Sequence, residues 1–331
     1  MISSEHTTDV ARTVDPDNPA ALTPLQRDII RTLSYFDVFG HPLKAEEIYR
    51  FLPSNSVTPA DVADACFAPP LSFLLAHHLG YYSIASQAER GGVAIVEERR
   101  SRERRALPLL RIARFMGRVV FAFPYVRGVF ISGELSKGVA TENGDIDFVV
   151  VTRSGRLWTA RTLLIAFKKV FLLNSKRFLC LNHMVSEHAL EETNRNRYTA
   201  TEIGTLAPLY SDDLFARYLR YNSWISAFLP NILPVRTGTG STAPGTGTLK
   251  RVAEWLLNGS IGDRLERGLL SFWRGVWKKR YPDLSPEERA SLFRCEPDLS
   301  TAYVGNFQPR ILCAYEERLR RFHLEAADSH G

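Results

Sequence analysis

Cysteine is scarce in this sequence and follows no pattern. Cys66, Cys180, Cys295 and Cys313 are far apart, and no Cys-x-x-Cys pair occurs. Neither a zinc site nor a disulfide framework is therefore expected. Reduced thiols in a cytoplasm are the simplest account of this usage.

Long apolar runs are also lacking. The longest candidate, 119–131, contains Pro124 and Arg127, so it does not reach membrane-spanning length. The first six residues lack the basic start and apolar stretch of a signal peptide. We therefore expect a cytoplasmic protein without a membrane partner.

The overall composition excludes the disordered and fibrous classes. With 45% hydrophobic and 24% charged residues, the chain is ordinary for a globular protein, and its 331 residues suffice for two or three domains. We find no internal repeat. The net charge of +6 favours an anionic partner such as a nucleotide or nucleic acid, although such a surface is also common without one.

The segment 129–152 places a turn of small residues ahead of two carboxylates. Asp145 and Asp147 begin an otherwise apolar, β-branched run. In a strand, residues i and i+2 point to the same face, so the two carboxylates are predicted to lie side by side. They would repel each other unless a cation lay between them. A surface hairpin, with a turn at 143–145 and Asp147 as a polar strand end, is the alternative.

The preceding turn favours the cation site. Gly133 and Gly138 allow the backbone to approach a ligand closely, and Ser132, Ser136 and the free N–H groups of such a turn can hold a phosphate. Phosphate donors beside metal-holding carboxylates are what a nucleoside triphosphate with Mg²⁺ requires.

These residues resemble the polymerase-β-like nucleotidyltransferase superfamily. Its pattern is apolar-Gly-Ser-x-small-Arg/Lys-Gly, followed by Asp-x-Asp at the start of a strand. Gly133, Ser136, Lys137 and Gly138 match it, and the spacing to Asp145 fits. The resemblance covers 127–185 and is carried by a moderately to strongly specific motif.

The resemblance implies a phosphorus-transferring enzyme that uses a nucleoside triphosphate as substrate with Mg²⁺ or Mn²⁺. Asp145 and Asp147 are the implied metal ligands, and together with Asn182 the implied catalytic residues. The acceptor is unidentified and is RNA, a protein or a small molecule. The implied nucleotide-binding residues are Ser132, Gly133, Glu134, Ser136, Lys137 and Gly138. An exposed turn lysine is the alternative for Lys137.

Two positions depart from the family pattern. Glu134 stands where Ser is usual, and a carboxylate cannot donate a hydrogen bond to phosphate. The strand predicted at 177–185, where the family carries a third carboxylate, has no Asp or Glu. Asn182 occupies the most plausible position, with Cys180 one pleat earlier. Glu187 lies just past the strand and could substitute only if the strand ended early. His183, on the other face, is expected to be a core residue.

The N-terminal part predicts a winged-helix-like module. Helices are predicted at 23–36, at 44–51 and from Thr58, followed by a helical segment at 71–79 and a strand at 80–85. Such a module can bind DNA, but its third helix carries Asp61 and Asp64 and no Lys or Arg. A packing or dimerising domain is therefore the alternative.

A long arginine-rich helix is predicted at 97–118, in two parts around Pro108. Its predicted buried side carries Leu107, Leu110, Ile112 and Phe115. The arginines either form a solvated face or line the approach to the phosphate site.

The remaining chain is predicted to be mainly helical. An amphipathic helix at 156–173 precedes the strand, and a helical region at 199–229 is broken by Pro208. From Leu249 onward we predict helices, the last at 307–322. An apolar stripe in this part is expected to be core, and it is formed by Trp255, Leu256, Leu265, Leu269, Phe272, Trp273 and Val276. One side is basic, with Arg264, Arg267, Arg274, Lys278, Lys279 and Arg280.

We therefore predict an α/β (α+β) protein with a small mixed-sheet nucleotidyltransferase core between a winged-helix-like domain and a C-terminal helical domain. The predicted divisions are a flexible tail at 1–21, the winged-helix-like module at 22–96, the core with its leading basic helix at 97–190, a helical extension at 191–234, a linker or loop at 235–248 and the helical domain at 249–331. A non-catalytic nucleotide-binding regulator, and a structural DNA-binding protein, are the rival functions.

Overall fold

The computed structural model describes residues 22–85, 92–211, 213–232, 247–302 and 307–326. These residues form thirteen α-helices, a six-stranded mixed sheet and a two-stranded sheet, which confirms the mixed α/β class. The predicted tail at 1–21 and nearly all of the predicted linker at 235–248 lie outside the described residues. None of the described helices has the length and apolar character needed to cross a membrane.

The chain divides into two compact units. Unit 1 comprises residues 1–96 and 315–329, and unit 2 comprises 97–314 with the last two residues. The elements that lie wholly in unit 1 are α1 (Pro24–Asp37), α2 (Ala45–Phe51), α3 (Pro59–Phe67), α4 (Leu71–Leu74), β1 (Leu75–His78) and β2 (Tyr81–Ile84).

The helices of unit 1 begin where capping residues stand. Thr23 Oγ1 accepts a hydrogen bond from Gln26 N, and Thr58 Oγ1 accepts one from Asp61 N. In each case the threonine N–H donates back to the side-chain oxygen of the same partner. The helix predicted at 71–79 is wrong beyond Leu74, because the chain continues as β1. Leu79 and Gly80 have φ of +49° and +79°, and such a two-residue left-handed turn closes a hairpin rather than extending a helix.

Unit 2 is built on a sheet of strand order β6-β3-β4-β5-β8-β7, in which only β4 and β5 are parallel. The helix α5 (Gly92–Phe121) leads into it. The strands are β3 (Val126–Ile131), β4 (Asp147–Thr152), β5 (Cys180–Ser186), β6 (Ala207–Tyr210), β7 (Cys295–Glu296) and β8 (Leu299–Thr301). The helices after α5 are α6 (Gly133–Ser136), α7 (Leu157–Phe171), α8 (Arg197–Gly204), α9 (Leu214–Tyr221), α10 (Thr248–Leu256), α11 (Gly259–Arg280), α12 (Pro286–Leu292) and α13 (Phe307–Arg320).

Both faces of this sheet are covered. Val129 and Val150 share a buried apolar cluster with residues of α5 and α7 and with Trp273 of α11. On the other face Phe130 packs against Phe215 of α9, with ring centroids 5.1 Å apart. Burial on both faces explains why β3 and β4 read as continuous apolar runs rather than alternating ones.

Helix α5 is one continuous helix of 30 residues with Pro108 inside it. The predicted buried side is wrong for Leu107 and Phe115, which are exposed, whereas Leu110 and Ile112 are partly buried. Buried positions of α5 repeat at three and four residues and include Val96, Arg99, Arg102, Ala106, Leu109, Ala113, Met116 and Val120. The spacing of residues along α5, rather than the size of their side chains, therefore decides which face packs on the core. Ala106 and Ala113 allow the helix backbone to approach the core closely.

Several arginines of α5 are paired within their own helix. Arg99 binds Glu103 at 2.9 Å, while Arg100 binds Glu97 and Arg105 binds Glu98 at 3.0 Å each. These contacts neutralise much of the charge run.

Two predicted helical regions contain strands. In the region predicted at 199–229, β6 occupies 207–210 and pairs with β3 at the sheet edge, where Pro208 is tolerated because an edge strand can lack an N–H donor. In the C-terminal part, β7 and β8 extend the same sheet beyond β5. Both segments are short, so local periodicity does not reveal them.

The apolar stripe predicted as core is wrong for four of its members. Trp273 is buried, and Leu269 and Val276 are partly buried against the core. The exposed members are Trp255, Leu256, Leu265 and Phe272.

Candidate functional site

The turn after β3 and the start of β4 meet at one edge of the sheet. Ser132 N donates a hydrogen bond to Asp147 O at 3.0 Å, directly beyond the pairing of Ile131 with Phe148. Asp147 is also paired with Cys180 at the start of β5. The ends of three strands therefore surround Asp147.

Gly133 lies against the Asp147 carboxylate. Its φ is +67°, and a Cβ added there would lie 2.6 Å from Asp147 Oδ2. Only glycine fits both the left-handed conformation and this close approach. Gly138 also has a left-handed φ of +76°, but a Cβ there would meet nothing within 4 Å.

Asp147 is surrounded by polar and acidic groups. Asn182 Nδ2 donates to Asp147 Oδ1 at 3.3 Å. Burial raises the pKa of Asp147 to about 6, opposed by a hydrogen bond from the Cys180 thiol and reinforced by the charges of Asp145 and Glu202. Burial, followed by the Asp147 charge, likewise raises the pKa of Cys180. The ionised form of Asp147 is therefore disfavoured, first by burial and then by the neighbouring negative charges.

Asp145 does not lie in the strand. β4 begins at Asp147, and the preceding residues are held irregularly, with Ile146 N bonded to Arg177 O at 3.0 Å. The prediction that both aspartates lie on one strand face is therefore wrong in its geometry. The Asp145 charge nevertheless acts on Asp147.

Sequence reasoning missed Glu202 and Tyr198. Both lie on α8, four residues apart and so on one helix face, after an N-cap in which Asn196 accepts from Thr199 N. Burial, then the charges of Glu202 and Asp147, raises the pKa of Tyr198. The i, i+4 spacing was visible in the sequence, but the direction of the face was not.

Lys137 and Ser136 brace the turn from within. Lys137 Nζ donates to Gly133 O at 3.1 Å and to Glu202 Oε1 at 2.8 Å. Ser136 Oγ donates to Gly133 O at 2.8 Å. The turn is therefore tied to α8 through an ion pair that lies beside Asp147.

Glu134 is held by a different part of the chain. Its Oε1 pairs with Arg102 Nη2 at 2.6 Å, and its Oε2 accepts from Thr141 N at 2.9 Å. Arg102 O in turn accepts from Ala140 N at 3.0 Å. Glu134 thus fastens the glycine turn to α5, and its charge is matched by a guanidinium.

Glu134→Ser, which introduces the residue usual in the resembled superfamily, is therefore expected to lower stability without raising any affinity for a nucleoside triphosphate. The loss is about 1 kcal/mol, because the carboxylate is partly exposed. Urea unfolding and titration with a fluorescent nucleoside triphosphate measure the two effects. Arg102→Met is the matched control, and Glu134→Ser should cost little in that background. A gain in affinity from Glu134→Ser would show that its carboxylate faces the ligand.

Glu187, the alternative carboxylate from the sequence, lies away from Asp147. Glu187 N bonds Thr152 O at 2.8 Å, at the far end of β4. Five residues of strand separate this point from Asp147, roughly 17 Å at the usual rise. Glu187 therefore cannot replace a third carboxylate at Asp147.

His183 forms a separate buried cluster. Its Nε2 lies 3.0 Å from Glu192 Oε1, and Tyr218 donates to the same carboxylate at 2.9 Å. Burial acts to raise the pKa of Glu192, but His183 and Tyr218 together hold it below its usual value. His183 is thus a satisfied core residue, as expected.

Within the described ranges, no group of three or more His, Cys, Asp or Glu side chains is arranged to hold a metal ion. Compared with protein-family models, curated proteins and solved structures, the chain gives no significant match.

Proposed function

We propose that the chain is a nucleotidyltransferase that moves a nucleoside monophosphate from a nucleoside triphosphate to an acceptor and releases pyrophosphate. The observation that carries the proposal is the contact between Gly133 and Asp147. A left-handed glycine packed on a partly buried carboxylate, beside two further carboxylates, suits a site in which phosphate and a cation meet.

The residue types around Asp147 are those that Mg²⁺ and Mn²⁺ prefer, and a cation would have to draw them together, since no group of three is arranged to hold a metal ion in the described residues. Burial raises the pKa of Asp147, and the charges of Asp145 and Glu202 raise it further. Asp145 and Asp147 would hold the cation, and the Asn182 amide can present an oxygen to it. A bound divalent cation would stabilise charge on the attacking and leaving oxygens.

The chain's own groups have separate roles in this proposal. Backbone N–H groups of 133–136 would bind the triphosphate, since those of Lys137 and Gly138 already donate to Glu134 O and Leu135 O. Lys137 can exchange Glu202 for a phosphate oxygen. Glu202, once released, can accept the proton of the acceptor hydroxyl, which Asn182 cannot do. Glu202 thus supplies the carboxylate missing from β5.

A non-catalytic nucleotide-binding regulator is the second candidate. The observation that favours it is the ion pair between Lys137 and Glu202, which ties up both groups that would serve transfer. In this case the N-terminal module, proposed to be winged-helix-like, contacts DNA or a protein partner. Leu43 exchanges two backbone hydrogen bonds with Tyr82 of β2 and so pairs with the β1–β2 hairpin. A winged-helix module has its third strand at this position.

Transfer of label distinguishes the two candidates. The full chain is incubated with each α-labelled nucleoside triphosphate, Mg²⁺ or Mn²⁺, and a cell extract as the acceptor source. We expect label on RNA, protein or a small molecule, and none with EDTA or with γ-labelled nucleotide. Saturable nucleotide binding without transfer of label would favour the regulator and overturn the enzyme.

A further inference from the structure

The acidic side chains of α10 and α11 are all engaged. Glu254 accepts from Tyr125 N at 2.7 Å and pairs with Arg127 at 2.8 Å. Glu266 is buried and accepts from Trp158 N at 2.6 Å. Asp263 pairs with Arg156 at 2.7 Å. Each of the three carboxylates on these two helices, both of which the structure describes throughout, therefore has a hydrogen-bond or ion-pair partner in unit 2.

The solvent-facing side of the same helices carries several large apolar residues. Leu249, Val252 and Leu256 repeat along α10, with Trp255 beside them, and Ile261, Leu265 and Phe272 repeat along α11. Leu249 is 83% exposed, Trp255 75% and Ile261 72%. Soluble surfaces carry single apolar residues without consequence, but a series of seven on two consecutive helices indicates a binding surface.

Exposed cations accompany these apolar residues. They are Arg251, Arg264, Arg267, Lys278, Lys279 and Arg280. We call the seven apolar residues and these six cations the α10–α11 surface. Aromatic and aliphatic side chains with flanking Arg and Lys are the composition of helices that lie in a membrane interface.

We propose that the α10–α11 surface docks on an anionic lipid bilayer. The apolar side chains enter the boundary between headgroups and acyl chains, and the Arg and Lys side chains bind the lipid phosphates. Trp255 suits the interface because its ring is apolar and its indole N–H is polar. This docking is peripheral, since neither helix can span the bilayer.

Charge argues against the other occupants. A two-fold contact with a second copy would set these cations against the same cations. A nucleic acid would satisfy the cations but would leave Leu249, Ile261 and Phe272 without an apolar partner. An anionic bilayer offers both kinds of contact.

The full chain is sedimented with vesicles of phosphatidylcholine alone or mixed with phosphatidylglycerol. We expect binding to the anionic vesicles at least about tenfold tighter than to the neutral ones, and weaker in high salt. The double variant Trp255→Glu with Leu256→Glu should lose binding. Lys278→Gln with Lys279→Gln should weaken it about tenfold and lower its salt dependence. Phe73→Glu, on α4, is the matched control because Phe73 is 63% exposed outside this surface.

Three results would overturn the proposal. One is equal binding, or none, to both kinds of vesicle by wild-type protein. Another is undiminished vesicle binding by the Trp255/Leu256 variant. The last is concentration-dependent self-association, or salt-dependent RNA binding, that this variant abolishes while vesicle binding persists. Circular dichroism establishes that each variant is folded.

Discussion

Replacing Asp147 with asparagine is expected to abolish the proposed nucleotidyl transfer, lowering its rate by about a thousandfold or more. A cation held by this carboxylate would supply several kcal/mol of transition-state stabilisation, and about 4 kcal/mol corresponds to a thousandfold in rate. The rate of label transfer from the α-labelled nucleotide measures the effect. Glu187→Gln is the control and should keep the wild-type rate, since Glu187 lies at the other end of the strands. Retention of full transfer by Asp147→Asn would remove the proposed metal site.

The same substitution is expected to stabilise the protein when divalent cations are removed. The pKa of Asp147 is raised from 3.8 to about 6 in the fold, so the folded state binds the proton more tightly than the unfolded state. Stability therefore falls as pH rises from ~4 to ~6, and the full cost at neutral pH is about 3 kcal/mol. Asp147→Asn carries no charge to titrate and should escape this loss.

Urea unfolding in EDTA across this pH range measures the difference. Wild-type protein should lose stability between pH ~4 and ~6, and Asp147→Asn should show a shallower slope. Added Mg²⁺ should stabilise wild type and leave the variant unchanged, because only a form that binds the ion gains from it. Equal slopes for the two proteins would mean that Asp147 is not destabilised by its surroundings.

Gly133→Ala is expected to impair the site far more than Gly138→Ala. Both positions have left-handed φ, so each alanine should cost about 1 kcal/mol of backbone strain. At Gly133 the new methyl group would also lie 2.6 Å from Asp147 Oδ2, and backbone and carboxylate must move apart. We expect an additional destabilisation of about 1–3 kcal/mol and loss of transfer at Gly133 alone.

Comparing Gly133→Ala with Gly138→Ala separates the effect of backbone strain from the effect of the collision with Asp147. Thermal unfolding and transfer rate are measured for both, and Gly138→Ala should keep most of the activity. The double variant Gly133→Ala with Asp147→Ala should recover part of the lost stability, since the carboxylate that collides is gone. If Gly133→Ala and Gly138→Ala behave alike, the approach of Gly133 to Asp147 is not important.

The main elements of the site could be read from local pattern. Continuous apolar runs predict β4 and β5, the three- and four-residue repeat predicts α7, and Gly133 and Asp147 stand out by their spacing. Their meeting follows because consecutive strands usually lie side by side. The buried face of α5 could not be predicted in the same way, because Ala106 and Ala113 are buried while the larger Leu107 and Phe115 are exposed.

Partners that are distant in the chain could not be predicted. Glu134 is 32 residues from Arg102, and Lys137 is 65 residues from Glu202. Nothing local in the sequence distinguishes Glu202 from any other helical glutamate. Its position beside Asp147 depends on how α8 packs after β5, which is decided by many contacts at once.

The sequence by itself determined the glycine turn, the carboxylate at the start of a buried strand and the mixed α/β class, because each depends on neighbours within a few residues. Only the tertiary structure decided which charges meet. In the folded chain Glu134 pairs with Arg102, Glu202 lies near Asp147, and Asp145 precedes the start of β4. The tertiary structure also left the seven apolar residues of the α10–α11 surface exposed. The opposite faces of these helices place Glu254 and Glu266 against hydrogen-bond donors of the core. Burying a carboxylate is tolerated only with such donors, and that requirement oriented the helices.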